Sequence, residues 1–437
     1  MTSPPPAPDS PTIAPAARER ASIGPGLIFA LSVIGAGDFV ANTAIGATHG
    51  TALLWALLLA AICRFVWVDT SARYVLVTGE TPFQGFARIG NWLLWLVLAS
   101  LIVHRHVHGL YHILLMGASI QLILPLPAPA GATIWSLLFV ALGFSLVFWG
   151  GYRTLERFFK YLMAFMGATL VAVVAAAPPS PIAVLQGLFV PSIPPTQGAY
   201  STILLLTALL GTEACSISNI TYAYFMWQKG WRNLSFASRQ RWDLFAGIGA
   251  MLAMGVLLQV AAAGALGDAR SAPRDVSDLV RIFSNRLGFL GKLAFSLGIW
   301  AAVITSYIGG VSGFSLALTD LFRSFVPRFH RPNLSHSRED LRRDPLFARF
   351  VIFFAFSPLY ILYTHVRPIL LVLVASSLVV VVVPVVSLSL LYLTSRPQIM
   401  GQHRNHWLTN AILLFISAVS LYFVYRNGAE LLARFHS

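Results

Sequence analysis

The stretch Ile34-Gly35-Ala36-Gly37-Asp38 sets the architecture of this chain. It stands inside the apolar run Gly26 to Ile45, which at about 1.5 Å per residue is long enough to cross a hydrocarbon core. Two glycines and a carboxylate there interrupt a helix that would otherwise be continuous. A second interruption, Leu210-Gly211-Thr212-Glu213-Ala214-Cys215, lies inside the run Ser201 to Met226. Backbone groups freed within a membrane are tolerated only where they line a cavity or bind something. The two runs are the first and sixth apolar spans, so they cross in opposite senses. Interrupted helices in corresponding positions of two inverted halves point to a midplane binding site in a secondary transporter.

Across the rest of the chain the apolar runs bring the expected number of spans to eleven. The first five are Gly26 to Ile45, Leu53 to Val77, Trp92 to Ile123, Ile134 to Gly150 and Phe158 to Ala176. The other six are Ser201 to Met226, Leu244 to Leu266, Leu287 to Leu318, Phe347 to Tyr363, Ile369 to Leu393 and Leu408 to Tyr425. A short turn at Ala47 to Gly50 makes a hairpin of the first two. The chain is therefore all-α and integral to the membrane, with two inverted five-helix repeats. Its expected divisions are a disordered cytoplasmic tail over 1–22, a first repeat over 23–180, a second over 198–396, and an eleventh helix with C-terminal tail over 407–437.

Composition agrees. Charged residues are 11% and hydrophobic ones 57%, whereas a soluble domain carries about 25% charged residues. The net charge of +14 comes from 30 Lys and Arg against 16 Asp and Glu. These basic residues sit in short interhelical loops rather than one patch, which excludes nucleic acid as a partner and leaves the lipid bilayer. One set of alternate loops is basic, including Arg153, Arg157 and Lys160, Lys229 to Arg241, and Arg323 to Arg349. The opposite set has no Lys or Arg through Pro125 to Ala132 or Ala177 to Gln197. The N-terminus is therefore expected inside and the C-terminus outside. Met1 to Glu19, rich in Pro, Ala and Ser, lacks the apolar core of a signal peptide. Cys63 and Cys215 both fall in apolar segments, so no disulfide framework is expected.

Ionisable residues near the bilayer centre cost about 2.5–3.5 kcal/mol each on insertion scales and usually have a partner or a task. Asp38 suits a cation-binding or proton-carrying carboxylate, or an N-cap for the half-helix that restarts there. Asn42, one turn on, adds an amide oxygen on the same face. Glu213 is the counterpart in the sixth span, followed by Cys215, Ser216, Ser218 and Asn219. A thiol beside a carboxylate tilts a site toward transition metals, while the bland reading of Cys215 is a small buried apolar residue. In the third span His104, His108 and His112 repeat every four residues and form one stripe. Such a stripe suits proton relay or water, metal ligation, or a structural polar seam with Arg105 paired to Glu213 or Asp38. Asp69 and Arg73, four apart on the second span, are expected to pair. Gly298, Gly309, Gly310 and Gly313 in the eighth span suit close helix packing. No P-loop, dinucleotide fingerprint, zinc-protease helix or nucleophile elbow is present in the sequence. The chain is therefore read as no enzyme, without a cofactor and driven by an ion or substrate gradient.

The opening Gly24-Pro25-Gly26, then Gly37-Asp38-Phe39 with Asn42, Gly46-Ala47, Gly50, Leu53-Leu54-Trp55 and Thr78-Gly79, resembles the first hairpin of the Nramp divalent-metal transporters. The close of the tenth span, Tyr392-Leu393-Thr394-Ser395-Arg396 with Ile399-Met400-Gly401 and Asn405, is similar to the same family. Lys229-Gly230-Trp231-Arg232 and Thr319-Asp320-Leu321-Phe322-Arg323 resemble a divergent, Nramp-related bacterial branch. The resemblance covers nearly the whole chain, in order. It implies the LeuT-type fold, a metal site between broken helices 1 and 6, a bacterial inner membrane, and uptake of divalent cations, often coupled to protons. The departures are specific. The family's Asp-Pro-Gly-Asn break aligns with Gly35-Ala36-Gly37-Asp38, so Gly35 replaces the usual metal-binding Asp and Asp38 the usual Asn. The Met-Pro-His motif of the sixth span is missing, and Glu213 to Cys215 stand near its place.

The resulting expectation is a secondary transporter for a divalent metal, Mn²⁺-like or Mg²⁺-like, working by alternating access. Asp38 and Glu213 would supply charge to the metal. Asn42, Asn219, Cys215 and the carbonyls at Gly35 and Thr212 would complete the site. His104, Arg105, His108 and His112 would handle protons or water. The rivals are the same fold carrying an amino acid or amine, and a non-transporting membrane sensor or assembly partner.

Overall fold

Apolar runs of this length become helices, and the interruptions decide where each helix stops. The computed structural model describes residues 24–435 apart from 128, 151, 177, 197–199, 215, 267–272, 274, 330–339 and 365. The N-terminal tail and Cys215 thus lie outside the described residues. The helices in chain order are α1 (Pro25–Val33), α2 (Ala36–His49), α3 (Leu54–Thr78), α4 (Pro82–Ala87), α5 (Asn91–Gln121) and α6 (Gly131–Phe148). They continue with α7 (Tyr152–Ala176), α8 (Pro181–Phe189), α9 (Thr202–Glu213), α10 (Thr221–Lys229), α11 (Ala237–Leu266) and α12 (Val276–Phe325). The last six are α13 (Asp340–Arg343), α14 (Pro345–Phe356), α15 (Pro368–Leu378), α16 (Val383–Ser395), α17 (Pro397–Met400) and α18 (Trp407–Phe435).

Among the described residues, 8 helical stretches are long and apolar enough to cross a membrane, with α9 and α10 taken together. The other expected spans are the broken pair α1–α2, the shorter apolar part of α7, and the pair α15–α16. The first break falls at Ile34 and Gly35, where the backbone leaves the helical region. The first hairpin turns slightly later than the sequence suggests, since α2 runs on through Ala47 to His49 and Gly50 carries the turn at φ 60°. The second break also comes late. Helix α9 holds to Glu213, and a 3₁₀ turn over Ile217–Ile220 leads into α10.

Two further interruptions are not evident in the sequence pattern. A 3₁₀ turn over Ser357–Tyr363 follows α14, and another over Val379–Val381 separates α15 from α16. Each has a proline at or just beyond it, Pro358 and Pro384. A proline removes a backbone donor and clashes with the preceding turn, so a helix yields there.

The broken first span is packed in the interior among other helices. All fourteen residues of α2 are buried, and it packs against α9, α11, α12 and α15, while α1 packs against α10, α11 and α12. The outer helices show the opposite pattern. Leu137, Leu138 and Leu142 on α6, and Leu414, Phe415 and Leu421 on α18, are exposed. An apolar belt of that kind is stable only against hydrocarbon.

Candidate functional site

The first break opens onto a cavity of about 40 Å³, room for roughly three waters. Its wall brings together Gly35, Gly37 and Asp38 from the break, Thr212 from α9, the α5 residues His104, Arg105, His108 and His112, and Ser306 from α12. Asp38 is 2% exposed. Its Oδ2 accepts from the Gly35 N–H at 3.1 Å, closing the first turn of α2. Its Oδ1 is buried with no hydrogen-bond partner among the described residues. The capping expected of Asp38 is therefore done by Oδ2 alone. The neighbouring Thr212 hydroxyl donates elsewhere, to the carbonyls of Ala208 and Leu209, both at 3.1 Å.

Packing explains why the carboxylate stands at 38. A Cβ on Gly35 would collide with the Ser306 hydroxyl, and one on Gly37 would come within 2.5 Å of the Thr212 side chain. The backbone at 35 is pressed against α12, leaving no volume for a side chain there. Three residues on, the Asp38 side chain folds back toward the break.

The second break is organised differently. Arg64, in the middle of α3, is fully buried. Its Nη1 donates to Glu213 Oε2 at 2.9 Å and lies 3.4 Å from the Met251 sulfur. Its Nη2 donates to the Thr212 carbonyl. A guanidinium at the C-terminal end of α9 also meets the negative end of the helix dipole. Glu213 is 3% exposed and neighbours Asp38, yet it is not on the cavity wall. The sequence pattern suggests Arg105 as the partner of Glu213 or Asp38. The structure instead assigns Glu213 to Arg64, because α3 rather than α5 runs past the end of α9.

Arg105 is also buried, at 2% exposure. Its guanidinium lies over the Tyr307 ring at 5.3 Å, and Nη2 donates to the Tyr307 carbonyl at 3.5 Å. It rests against Gly310, where a Cβ would come within 3.3 Å of Nε. The histidine stripe is a stack: His104 and His108 rings are 3.9 Å apart, and His104 lies parallel to Phe314 at 5.2 Å. Tyr111 Oη bonds His108 Nδ1 at 2.6 Å, and His112 Nδ1 donates to the His108 carbonyl.

The remaining expected residues are placed as follows. The Asn42 amide donates to the Asp38 carbonyl and its oxygen accepts from Gln259, both at 2.8 Å, so that oxygen is already engaged. The Gly35 carbonyl accepts from the Phe39 N–H at 3.0 Å. The Asn219 amide donates to Ala214 O at 3.3 Å, and its own oxygen is buried without a partner among the described residues. Asp69 and Arg73 do not pair directly. Asp69 meets Arg241 at 3.3 Å and Arg73 donates to Asn405 at 2.6 Å. Among the described residues no three His, Cys, Asp or Glu side chains form a metal-binding group. Sequence reasoning missed Arg64 as the organiser of the second break and Gln259 as the partner of Asn42. The signal for Arg64 was present: it is an arginine ten residues into a spanning helix with no acidic residue within four positions of it, where an unpaired charge is costly.

A family model described as "Natural resistance-associated macrophage protein-like" (Nramp) matches residues 26–427. An uncharacterized protein of Pasteurella multocida is 26% identical over 306 residues, 68% of this chain and 67% of its own length. Natural resistance-associated macrophage protein 2 of Mus musculus is 28% identical over 179 residues, 39% of this chain and 30% of the mouse protein. That match therefore spans less than a third of the mouse protein. A solved manganese transporter of Eremococcus coleocola is 16% identical and superposes with a TM-score of 0.71, over 93% of this chain and 88% of that one. MhsT, solved in complex with L-phenylalanine, is 17% identical with a TM-score of 0.62 over 93% and 98%. At these identities the likeness establishes the fold, which is LeuT-type with the first and sixth spans broken.

Proposed function

The chain belongs to the Nramp family, and we propose that it carries a divalent metal cation, Mn²⁺-like or Mg²⁺-like, across a membrane by alternating access. One observation carries this reading: Asp38 lines a cavity between two broken helices, and its buried Oδ1 has no hydrogen bond among the described residues. A buried acceptor without a partner is costly, and a cation arriving there relieves the cost. Asp38 is the charged ligand in this reading, with water and further oxygens of the broken segments completing a hard-cation shell. Glu213, together with Arg64, sets the field around that ligand from behind it, and Asn42 fixes the α2 backbone that presents it. His104, His108 and His112 line the same cavity and form the route for a coupled proton. The positive-inside pattern supports a cytoplasmic N-terminus, and the resemblance to a bacterial branch of the family supports a bacterial inner membrane.

A second reading rests on Arg105. Asp38 and Arg105 face one cavity, and the Arg105 Nε has no hydrogen-bond partner among the described residues. A carboxylate opposite a guanidinium suits a small zwitterion, with an ammonium at Asp38 and a carboxylate at Arg105. Proteoliposome uptake separates the two. Saturable Mn²⁺ or Mg²⁺ flux, lost in Asp38→Ala and not competed by amino acids, supports the metal. Amino-acid flux with no metal flux, from folded protein, overturns it.

A further inference from the structure

The Arg64 guanidinium is held by more than its counter-charge, and in the transport reading above it acts only through the field it shares with Glu213. It is fully buried at the middle of α3. Three acceptors surround it: Glu213 Oε2, the Thr212 carbonyl and the Met251 sulfur. Two of these belong to the last residues of α9, where the half-helix ends and its carbonyls lose their partners. In transporters built from broken helices, half-helix C-terminal ends and unwound carbonyls are where a dissociable coupling cation is held. The same charge, the same helix end and a carboxylate are present here, with the cation covalently attached to α3.

We propose that Arg64 is a tethered cation that takes the place of a dissociable monovalent ion at the end of α9. The consequence is mechanistic. A transporter with a free ion at this position assembles its broken helix only when the ion is bound. Here the helix end is neutralised permanently, Glu213 is drawn off the cavity wall, and Asp38 alone is left to meet the cargo. Holding Asp38 ready then requires no Na⁺ or K⁺. Arg64 is accordingly a positioning residue: it acts through Thr212 and Glu213 and does not line the cavity.

Removing the side chain leaves a carboxylate, a carbonyl and a thioether facing a vacated volume, which is a cation site for a free ion. That gives a readout that simple loss of packing would not. The inference rests on the geometry of the second break rather than on the identity of the cargo, so it is tested without cargo. Its failure would leave the metal reading standing, and failed metal flux would leave this inference standing.

The test is thermal unfolding of the purified full chain in detergent, in choline, sodium, potassium and methylguanidinium chlorides at equal, non-denaturing concentration. Wild type, Arg64→Ala and Arg64→Gln are compared. The expected result is a wild-type midpoint that is the same in all four salts. Both variants should melt lower in choline and recover in sodium or methylguanidinium. Arg64→Ala/Glu213→Gln, which lacks both charges, should show no such recovery. A wild-type midpoint raised by sodium or potassium would overturn the proposal, because a dissociable ion would then still be in use. It is equally overturned if the single variants respond to no cation, or if neither is recovered folded in any of the salts, since a free cation then cannot stand in for the tethered one.

Discussion

At the first break Asp38 lines the cavity and keeps one oxygen without a hydrogen bond among the described residues, whereas at the second Glu213 is paired with Arg64 and stands off the cavity wall. Both carboxylates are buried, but Asp38 stands in the first turn after its break and Glu213 on the last residue before its own. What separates them is the neighbouring helix. The end of α9 has α3 passing it with an arginine at the right height. At the start of α2 no arginine among the described residues pairs with Asp38, and the Gly35 N–H satisfies one oxygen. A charge becomes available to a ligand when the fold supplies fewer donors than it has acceptors.

The contrast is most vulnerable at Glu213. Replacing it with alanine leaves the Arg64 guanidinium buried without its counter-charge, and removing one partner of a buried pair costs about 3–5 kcal/mol. Glu213→Ala should therefore lower stability far more than Asp38→Asn, measured by unfolding in detergent. Similar losses for both would erase the distinction between the two breaks.

Gly35 tests the steric half of the argument. Gly35→Ala puts a methyl group into the Ser306 hydroxyl, and overpacking of that kind costs about 1–3 kcal/mol. Combining it with Ser306→Gly should recover most of the loss. If Gly35→Ala is neutral alone, crowding does not explain why the carboxylate stands at 38.

At Asp38 the expected effect is on cargo rather than on folding. Asp38→Asn keeps an oxygen able to accept from Gly35 and removes the charge. Stability should move by less than about 1 kcal/mol, the net worth of a typical hydrogen bond. Mn²⁺ affinity should weaken at least about tenfold, which corresponds to about 1.4 kcal/mol. Equilibrium metal binding to the purified variant reads this directly, and unchanged affinity would remove Asp38 from the site.

Much of this organisation was legible in the sequence. Gly35, Gly37 and Asp38 mark the first break because glycines weaken a helix and a carboxylate in hydrocarbon is costly. Glu213 marks the second because it too is a carboxylate within an apolar run. The histidine stripe was readable from its four-residue spacing, and the structure lays it along the cavity that Asp38 faces. The unread part was pairing between helices distant in sequence. Arg64 and Glu213 are 149 residues apart, and Asn42 and Gln259 are 217 apart. Local periodicity carries no information on which helix passes which helix end. For the same reason Asp69 and Arg73 have the spacing of a helical pair, yet each has its partner on another segment, Arg241 and Asn405. Isolated prolines at 358 and 384 sit in strongly apolar runs, and that apolarity masks the turns they impose.

A pair outside the membrane core supplies the mildest test of the same contrast. Arg88 and Glu80 form an ion pair near the start of α5, with side chains 47% and 28% exposed. It has the same residue types as the Arg64–Glu213 pair but lies largely in water. The hydrogen bond that Arg88 donates to Glu80 holds the guanidinium above its usual range, so the arginine stays charged at any pH of interest. Water solvates either ion when the other is removed, and exposed pairs contribute about 0.2–1 kcal/mol. Arg88→Ala should therefore cost no more than that, and the cost should shrink as salt is raised, because screening acts on exposed charges and hardly on buried ones. Glu213→Ala should show no such salt dependence in choline gluconate, whose anion is too large for the volume vacated beside the Arg64 cation. If the two variants lose the same stability and respond alike to salt, burial is not what sets Arg64 apart, and the contrast between the two breaks rests on the availability of Asp38 alone.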